Sequence, residues 1–172
     1  MKEKKVRDVM IPLADYPHIP YWFTLRQAMA MVREATLKFE KSFEPRSVLV
    51  FDEKYQLMGM LTLRDIVKGL EPQFLKGTRL AEGLQVASHP ELSLLIKDCF
   101  GPGLKEASQR PVSEAMRPIR ATVNAGDSLV KAMAQMIRED VGLMPVMEDQ
   151  KVVGIVRLSD LFQEISRIVL GD

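Results

Sequence analysis

The feature that most constrains the fold of this chain is an internal duplication. Residues 59–67, GMLTLRDIV, return at 154–162 as GIVRLSDLF, and each copy reads as a glycine in a strand, two apolar residues and a polar turn into a helix. The similarity extends backwards to earlier segments, which pair as 24–30 with 128–134 and 6–12 with 112–118. A repeat fixes the architecture before any single element is assigned.

The spacing of the repeat predicts two half-domains. The two glycines lie 154 − 59 = 95 residues apart, so only two copies fit in 172 residues, and most solenoid repeats are shorter than this. One copy alone would bury too little apolar surface to offset its chain entropy. We therefore expect two halves that share one core.

The first copy predicts two helices around a β-hairpin. Thr24 and Gln27 have the spacing of a capping box, which marks the start of the first helix. Gly69 is the expected left-handed stop of the second helix. The predicted hairpin strands are 47–51 and 56–61, the second helix covers 63–68, and the proline-rich run 11–20 is expected to form loop or edge strand.

The second copy predicts the same order of elements. Ser128 opens a helix that Gly142 is expected to stop. Each half therefore reads β-α-β-β-α, which places the chain in the α/β class. The other elements predicted for this copy are a strand at 121–123, a hairpin of 143–147 with 151–156 and a closing helix at 159–169.

The duplication divides the chain into a first half-domain at 1–70, an insertion at 71–111 and a second half-domain at 112–172. The insertion is too long for a plain connector, and its apolar residues at 91–100 predict a helix. We expect the insertion to pack over the core or to form a partner surface, rather than to be a solvated linker.

Composition excludes several classes of function. With 47% apolar residues, 27% charged residues and a net charge of +1, the chain is expected to be globular and cytoplasmic, without affinity for nucleic acid or membrane. No apolar run approaches the roughly 20 residues of a membrane span. A single cysteine and two isolated histidines provide no metal site, and no nucleophile is paired with a histidine. We therefore predict neither an enzyme nor an obligatory cofactor.

The order of the repeated motifs resembles that of a CBS-domain pair. A Met-x-Pro motif precedes each half at 10–12 and 116–118, the strand LMPV lies at 143–146, and each half closes with the glycine motif. The resemblance covers nearly the whole chain except the insertion. It implies two half-domains packed as a pseudo-twofold pair, which bind AMP, ADP, ATP or S-adenosylmethionine in two clefts, regulate an unknown partner protein and assemble into a homodimer.

The residues of the repeated motif are chemically suited to a nucleotide. A carboxylate at a strand-to-helix turn, such as Asp65 or Asp160, can accept hydrogen bonds from ribose hydroxyls. A threonine hydroxyl at a helix start offers a phosphate site, and a bare glycine Cα lets a ring approach the backbone. The predicted ligand-binding residues are Thr62 and Asp65 in the first cleft, and Ile119, Arg120, Ala121, Thr122, Pro145, Arg157 and Asp160 in the second.

Each of these residues also has a purely structural interpretation. Thr62 and Asp65 have the spacing of a capping box, so helix capping alone would select them. Arg157 stands where the first copy has Thr62, and it is suited to clamp a phosphate. The alternative is that Arg157 is a surface strand residue or closes an empty cleft with a salt bridge. The rings of Trp22 and Phe23 are expected to plug the first cleft.

Two functions remain open at this point. In the first, the chain senses adenine nucleotides, and the second cleft is the binding cleft, so that Asp160→Ala abolishes binding and Thr62→Ala has little effect. In the second, the chain is a ligand-free dimerisation or scaffold protein that keeps the fold and has lost the chemistry.

Overall fold

The computed structural model describes residues 4–38, 47–71 and 101–171. The helix predicted at 91–100, and with it most of the insertion, lies outside the described residues. The strands are β1 (Ile11–Pro12), β2 (His18–Pro20), β3 (Ser47–Phe51), β4 (Leu57–Thr62), β5 (Val123–Asn124), β6 (Leu143–Glu148) and β7 (Lys151–Arg157). The helices are α1 (Leu25–Lys38), α2 (Leu63–Gly69), α3 (described over 101–107), α4 (Leu129–Glu139) and α5 (Leu158–Leu170).

The strands form two sheets, one for each half. The first sheet has the order β2-β3-β4, with β2 parallel to β3 and β3 antiparallel to β4. The second has the order β1-β7-β6-β5, with the same parallel and antiparallel arrangement of β5, β6 and β7. The β-α-β-β-α order predicted for each half is confirmed.

The segment that precedes each half packs on the other half. Residues 6–12 and 112–118, called here the crossing segments, each begin with a short 3-10 helix. In the first of them, Ile11 pairs with Ile155 of β7. In the second, Arg117 and Met60 of β4 exchange backbone hydrogen bonds of 2.8 and 2.9 Å. The two halves are therefore interlocked, and neither is a continuous stretch of chain.

The two motif glycines are required where the crossing segments pass over the sheets. A Cβ on Gly59 would lie 2.5 Å from the carbonyl oxygen of Arg117, and a Cβ on Gly154 would clash with the carbonyl oxygen of Ile11. The sequence analysis assigned these glycines to the approach of a ligand ring. The structure gives them a packing reason, since a backbone crosses there too closely for any side chain.

Each half has its own hydrophobic core, and a smaller third cluster joins them. Val112 of the second crossing segment lies in the first core, and Val6 of the first crossing segment lies in the second. The joining cluster consists of Tyr16, which precedes β2, together with Leu49 and Phe51 of the first sheet and Ile155 of the second. The halves thus share this cluster rather than the single core that the repeat length predicted.

Local signals located the helix starts correctly and two helix ends wrongly. The Thr24 amide donates to Oε1 of Gln27 over 2.9 Å, which confirms the predicted capping box. Gly69 is helical rather than left-handed; a Cβ there would lie 2.8 Å from Cδ1 of Leu25. Helix α4 ends at Glu139, and Asp140 rather than Gly142 caps it in the left-handed conformation (φ 51°). The strand predicted at 121–123 is observed at Val123–Asn124.

Candidate functional site

Thr62 and Asp65 form a reciprocal capping box at the start of α2. The Asp65 amide donates to Thr62 Oγ1 over 3.2 Å, and the Thr62 amide donates to Asp65 Oδ2 over 3.0 Å. The Thr62 hydroxyl also donates to Asp65 Oδ2 over 2.6 Å. The capping role foreseen for these residues is therefore present, and it fixes the carboxylate at the end of β4.

Asp65 also accepts a hydrogen bond from the second crossing segment. Arg117 Nε donates to Asp65 Oδ1 over 2.5 Å, and this ion pair joins a buried carboxylate (6% exposed) to a half-exposed guanidinium (50%). Burial by itself would raise the pKa of Asp65, but the hydrogen bonds from Thr62 and the charge of Arg117 outweigh it and hold the pKa below its usual value. The carboxylate is thus kept ionised although it is buried.

The second motif neutralises its aspartate from within. Arg157 Nε donates to Asp160 Oδ2 over 3.0 Å, and Arg157 Nη2 donates to Asp160 Oδ1 over 2.5 Å. The Arg157 amide adds a third hydrogen bond to Oδ2, of 3.0 Å. Both side chains are mostly buried, at 13% and 9% exposed. This bidentate pair corresponds to the salt bridge that the sequence analysis considered as the alternative to a phosphate clamp.

The two arginines occupy different positions of the repeat. In the aligned copies, Arg117 of the second crossing segment corresponds to Ile11 of the first, and Arg157 corresponds to Thr62. Each aspartate therefore has one arginine, supplied by the crossing segment in one half and by the motif itself in the other. The two copies thus place the arginine at different positions of the repeat, but each motif aspartate is paired with one arginine.

Tyr16 lies at the junction of the two halves. This side chain is buried, and its hydroxyl hydrogen-bonds to Ser47 Oγ of the first sheet over 2.8 Å. Burial raises the pKa of Tyr16, and the charges of Arg157 and Asp160 also act on it. Ser47 pairs with Thr62 of the first motif, and Ile155 of the Tyr16 cluster belongs to β7, the strand that ends at Arg157, so Tyr16 links the two motifs.

The strand predicted to line the second cleft leads from Asp65 to the second half. Residues 119–122 continue directly from Arg117, which is bound to Asp65, and they lead into β5. Arg120 is exposed, Ala121 packs against the second hydrophobic core, and the Thr122 carbonyl accepts from Gln135 Nε2 over 2.8 Å. The grouping of Ile119, Arg120, Ala121 and Thr122 with Asp160 stays a prediction. Pro145 is buried within β6, opposite Ile155 of β7.

The aromatic residues expected to plug the first cleft do not do so. Trp22 is half exposed and contacts the Tyr21 ring edge to face, with ring centroids 5.2 Å apart. Phe23 packs against the first hydrophobic core. Just before α1, Trp22 therefore lies on the surface and Phe23 lies against the first hydrophobic core.

Three residues beside the two motif aspartates were missed by the sequence analysis: Tyr16, Ser47 and Arg117. The alignment of the two copies contained a signal for Arg117. Arg117 stands where the first copy has Ile11, just as Arg157 stands where the first copy has Thr62. In the structure each of these two arginines pairs with one motif aspartate. Tyr16 and Ser47 carried no comparable signal, since they lie in segments where the copies differ.

Comparison with known proteins identifies the fold. Residues 112–167 match the sequence model of the CBS domain. A CBS domain-containing protein of unknown function from Bacillus anthracis has a TM-score of 0.67 at 16% identity, over 95% of this chain and 94% of that one. CBSX2 in complex with AMP has a TM-score of 0.61 at 17% identity, over 96% and 98%.

The cytosolic domain of the Mg²⁺ channel MgtE in complex with ATP has a TM-score of 0.61 at 19% identity, over 95% of this chain but only 49% of that one. At these identities the similarity establishes the fold. No curated protein sequence matches the chain. Among the described residues, no helix has the length and apolarity needed to span a membrane, and no three potential ligand residues are grouped as a metal site would require.

Proposed function

We propose that this chain, which has the fold of CBS-domain proteins and carries a CBS domain at residues 112–167, is a regulatory module that binds AMP, ADP or ATP between its halves. Two proteins of the same fold hold AMP and ATP, which supports an adenine nucleotide as the ligand class. S-adenosylmethionine, which has the same adenosine group, is the other candidate. The role is regulatory rather than catalytic, and the proposed location is the cytoplasm.

The observation that carries this proposal is the environment of Asp65. A buried carboxylate that stays ionised can accept both ribose hydroxyls. The Thr62 hydroxyl adjoins it at 2.6 Å, and the half-exposed guanidinium of Arg117 lies at 2.5 Å. Ribose and phosphate need an acceptor, a hydroxyl and a cation at close range, and all three are present here.

The proposed mechanism is a shift in the population of inter-half arrangements. Arg117 belongs to the crossing segment that packs on the first half and continues into β5 of the second. A ligand that alters the contact between Arg117 and Asp65 would therefore change how the two halves are arranged. A nucleotide that binds one arrangement better than another favours that arrangement by the difference in affinity. A partner protein that recognises the same arrangement would then be regulated by the nucleotide.

Isothermal titration calorimetry of the purified chain tests this function. AMP, ADP, ATP and S-adenosylmethionine are titrated separately, with GMP as the control because it shares ribose and phosphate but not adenine. We expect saturable heat with at least one adenosine compound and none with GMP. The absence of heat with all four adenosine compounds would reject the proposal.

The partner surface is proposed from exposed apolar residues on α5. Leu158, Phe162, Ile165 and Val169 recur every three or four residues, which places them on one face of the helix, and all are exposed. Leu63 and Val67 occupy the corresponding positions of α2 and are also exposed. Because both halves present such a face, a second copy of the chain is the proposed occupant, giving a homodimer.

The alternative function is a ligand-free dimerisation or scaffold module. The observation that favours it is that each motif aspartate already has an arginine partner. A dimer whose thermal midpoint is unchanged by millimolar AMP or ATP would support this alternative.

A further inference from the structure

We propose that the two clefts are not equivalent: the cleft at Asp65 takes the nucleotide, whereas Arg157 locks the cleft at Asp160. The first cleft is defined by Thr62, Asp65 and Arg117, and the second by Arg157 and Asp160. The inference rests on the proposed function and adds to it which cleft binds and which residue decides this.

Both oxygens of the second carboxylate are held by a guanidinium that is itself mostly buried. Asp160 Oδ2 accepts from the amide and Nε of Arg157, and Asp160 Oδ1 accepts from Nη2. Arg157 is only 13% exposed, so a ligand that displaced it would have to leave a buried guanidinium without its carboxylate. The pair is also local, since the two residues are three positions apart and their geometry is set by the start of α5.

The two copies also differ at the position of Tyr16. Its ring is 3% exposed in the cluster that joins the sheets, and its hydroxyl is bound to Ser47, which pairs with Thr62 of β4. Ile19 pairs with Val50 and Val123 with Val146, so Tyr16 corresponds to Arg120 in the repeat, and Arg120 is exposed. The second copy therefore supplies an exposed cation at a position where the first copy has a buried aromatic ring.

The first cleft is held by a contact that can exchange. Arg117 reaches Asp65 from a separate segment, 52 residues away in the sequence, and its guanidinium is half exposed. Water can therefore solvate Arg117 when a ribose takes its place on Asp65, so the guanidinium is not left buried without a partner. The released guanidinium, with exposed Arg120 nearby in the chain, is then available to a phosphate.

The inference reverses the expectation drawn from the sequence, which placed the stronger anion site in the second cleft because of Arg157. The difference lies in the partner of Arg157. An arginine whose guanidinium is bound bidentately to its own aspartate does not add a cation to the cleft, and it removes the acceptor that the ribose needs.

The experiment compares matched variants of the full chain by calorimetry with AMP. The wild-type chain is expected to bind one AMP per chain. Asp65→Asn should weaken binding at least about tenfold, because it removes the charged acceptor of the ribose, whereas Asp160→Asn should change the affinity less than about twofold. Circular dichroism and a thermal melt establish that each variant is folded.

Two further measurements do not depend on the Asp160 variant being folded. In the ¹⁵N spectrum of the wild-type chain, the Nε–H signal of Arg117 should shift on addition of AMP, while that of Arg157 should stay unshifted. Arg117→Gln should weaken ATP binding more than adenosine binding, because adenosine has no phosphate for the released guanidinium. Arg117→Lys and Arg157→Lys assign the two signals.

The outcomes separate the two proposals. No binding of AMP or ATP by the wild-type chain would overturn the proposed function and this inference together. Binding that survives in Asp65→Asn but is lost in folded Asp160→Asn, or an Arg157 signal that shifts with AMP, would overturn this inference and leave the proposed function standing. Two AMP molecules bound per wild-type chain would also overturn it, since the second cleft would then be open.

Discussion

Asp65 concentrates the chemistry of the molecule in one side chain. It is buried, yet Thr62 and Arg117 together donate enough hydrogen bonds and charge to keep it ionised. Its counterpart Asp160 is bound by one arginine from its own motif. The two carboxylates therefore differ in the arginine that holds them, which is half exposed and comes from a separate segment at Asp65 but is mostly buried and comes from the same motif at Asp160.

The stability of the chain should depend on the charge of Asp65. Folding lowers the pKa of this carboxyl, so the ionised form stabilises the folded chain. This contribution to the free energy of unfolding is fully present above the unfolded pKa, about 4, and is lost as the pH falls through the folded pKa. We expect Asp65→Asn to reduce the free energy of unfolding by about 1–2 kcal/mol at pH 7, since hydrogen bonds to a charged group are lost and Arg117 is half exposed.

Urea unfolding of both chains from pH 7 to pH 3 checks this. The difference between wild type and Asp65→Asn should be constant above about pH 5 and shrink below about pH 4. A difference that does not change with pH would show that the carboxylate charge contributes nothing.

At the scale of elements, the crossing segments decide how the two sheets are joined. Each crossing segment passes over a motif glycine of the opposite half. The close packing of that segment therefore depends on the glycine having no side chain. The sequence predicted the capping boxes and hairpins correctly, because these depend on residues close along the chain. It misplaced Gly69 and Gly142, because Gly69 is needed for packing against Leu25, and Asp140 ends α4 in the left-handed conformation.

Gly154→Ala tests the crossing. A methyl group there would meet the backbone of Ile11, which cannot rotate away as a side chain can, so we expect a loss of about 1–3 kcal/mol in the free energy of unfolding. Gly142→Ala is the matched control, because nothing lies within 4 Å of its added Cβ and its φ is not positive. Chemical denaturation measures both. Equal effects from the two substitutions would contradict the close approach.

For the whole molecule, the exposed face of α5 predicts a dimer. Phe162 is 67% exposed at the middle of this face, and the proposed second copy would bury it. Phe162→Glu should convert the dimer to a monomer, because a charge would have to be desolvated in the interface. Gln163→Glu adds the same charge to a neighbouring exposed position and should leave the dimer intact.

Multi-angle light scattering after size-exclusion chromatography gives the mass of each variant. A wild-type chain that runs as a monomer at high micromolar concentration, or a Phe162→Glu chain that stays dimeric, would contradict the proposed interface.

The sequence by itself determined the duplication, the β-α-β-β-α order of each half, and the placement of Thr62, Asp65 and Asp160 at helix starts. These follow from periodicity and capping, which act over a few residues. The tertiary structure alone decided which half each crossing segment packs on, that Arg117 is the arginine that pairs with Asp65, and that Tyr16 is bound to Ser47 between the sheets. These contacts join residues far apart in the chain, and their choice depends on packing two interlocked halves at once.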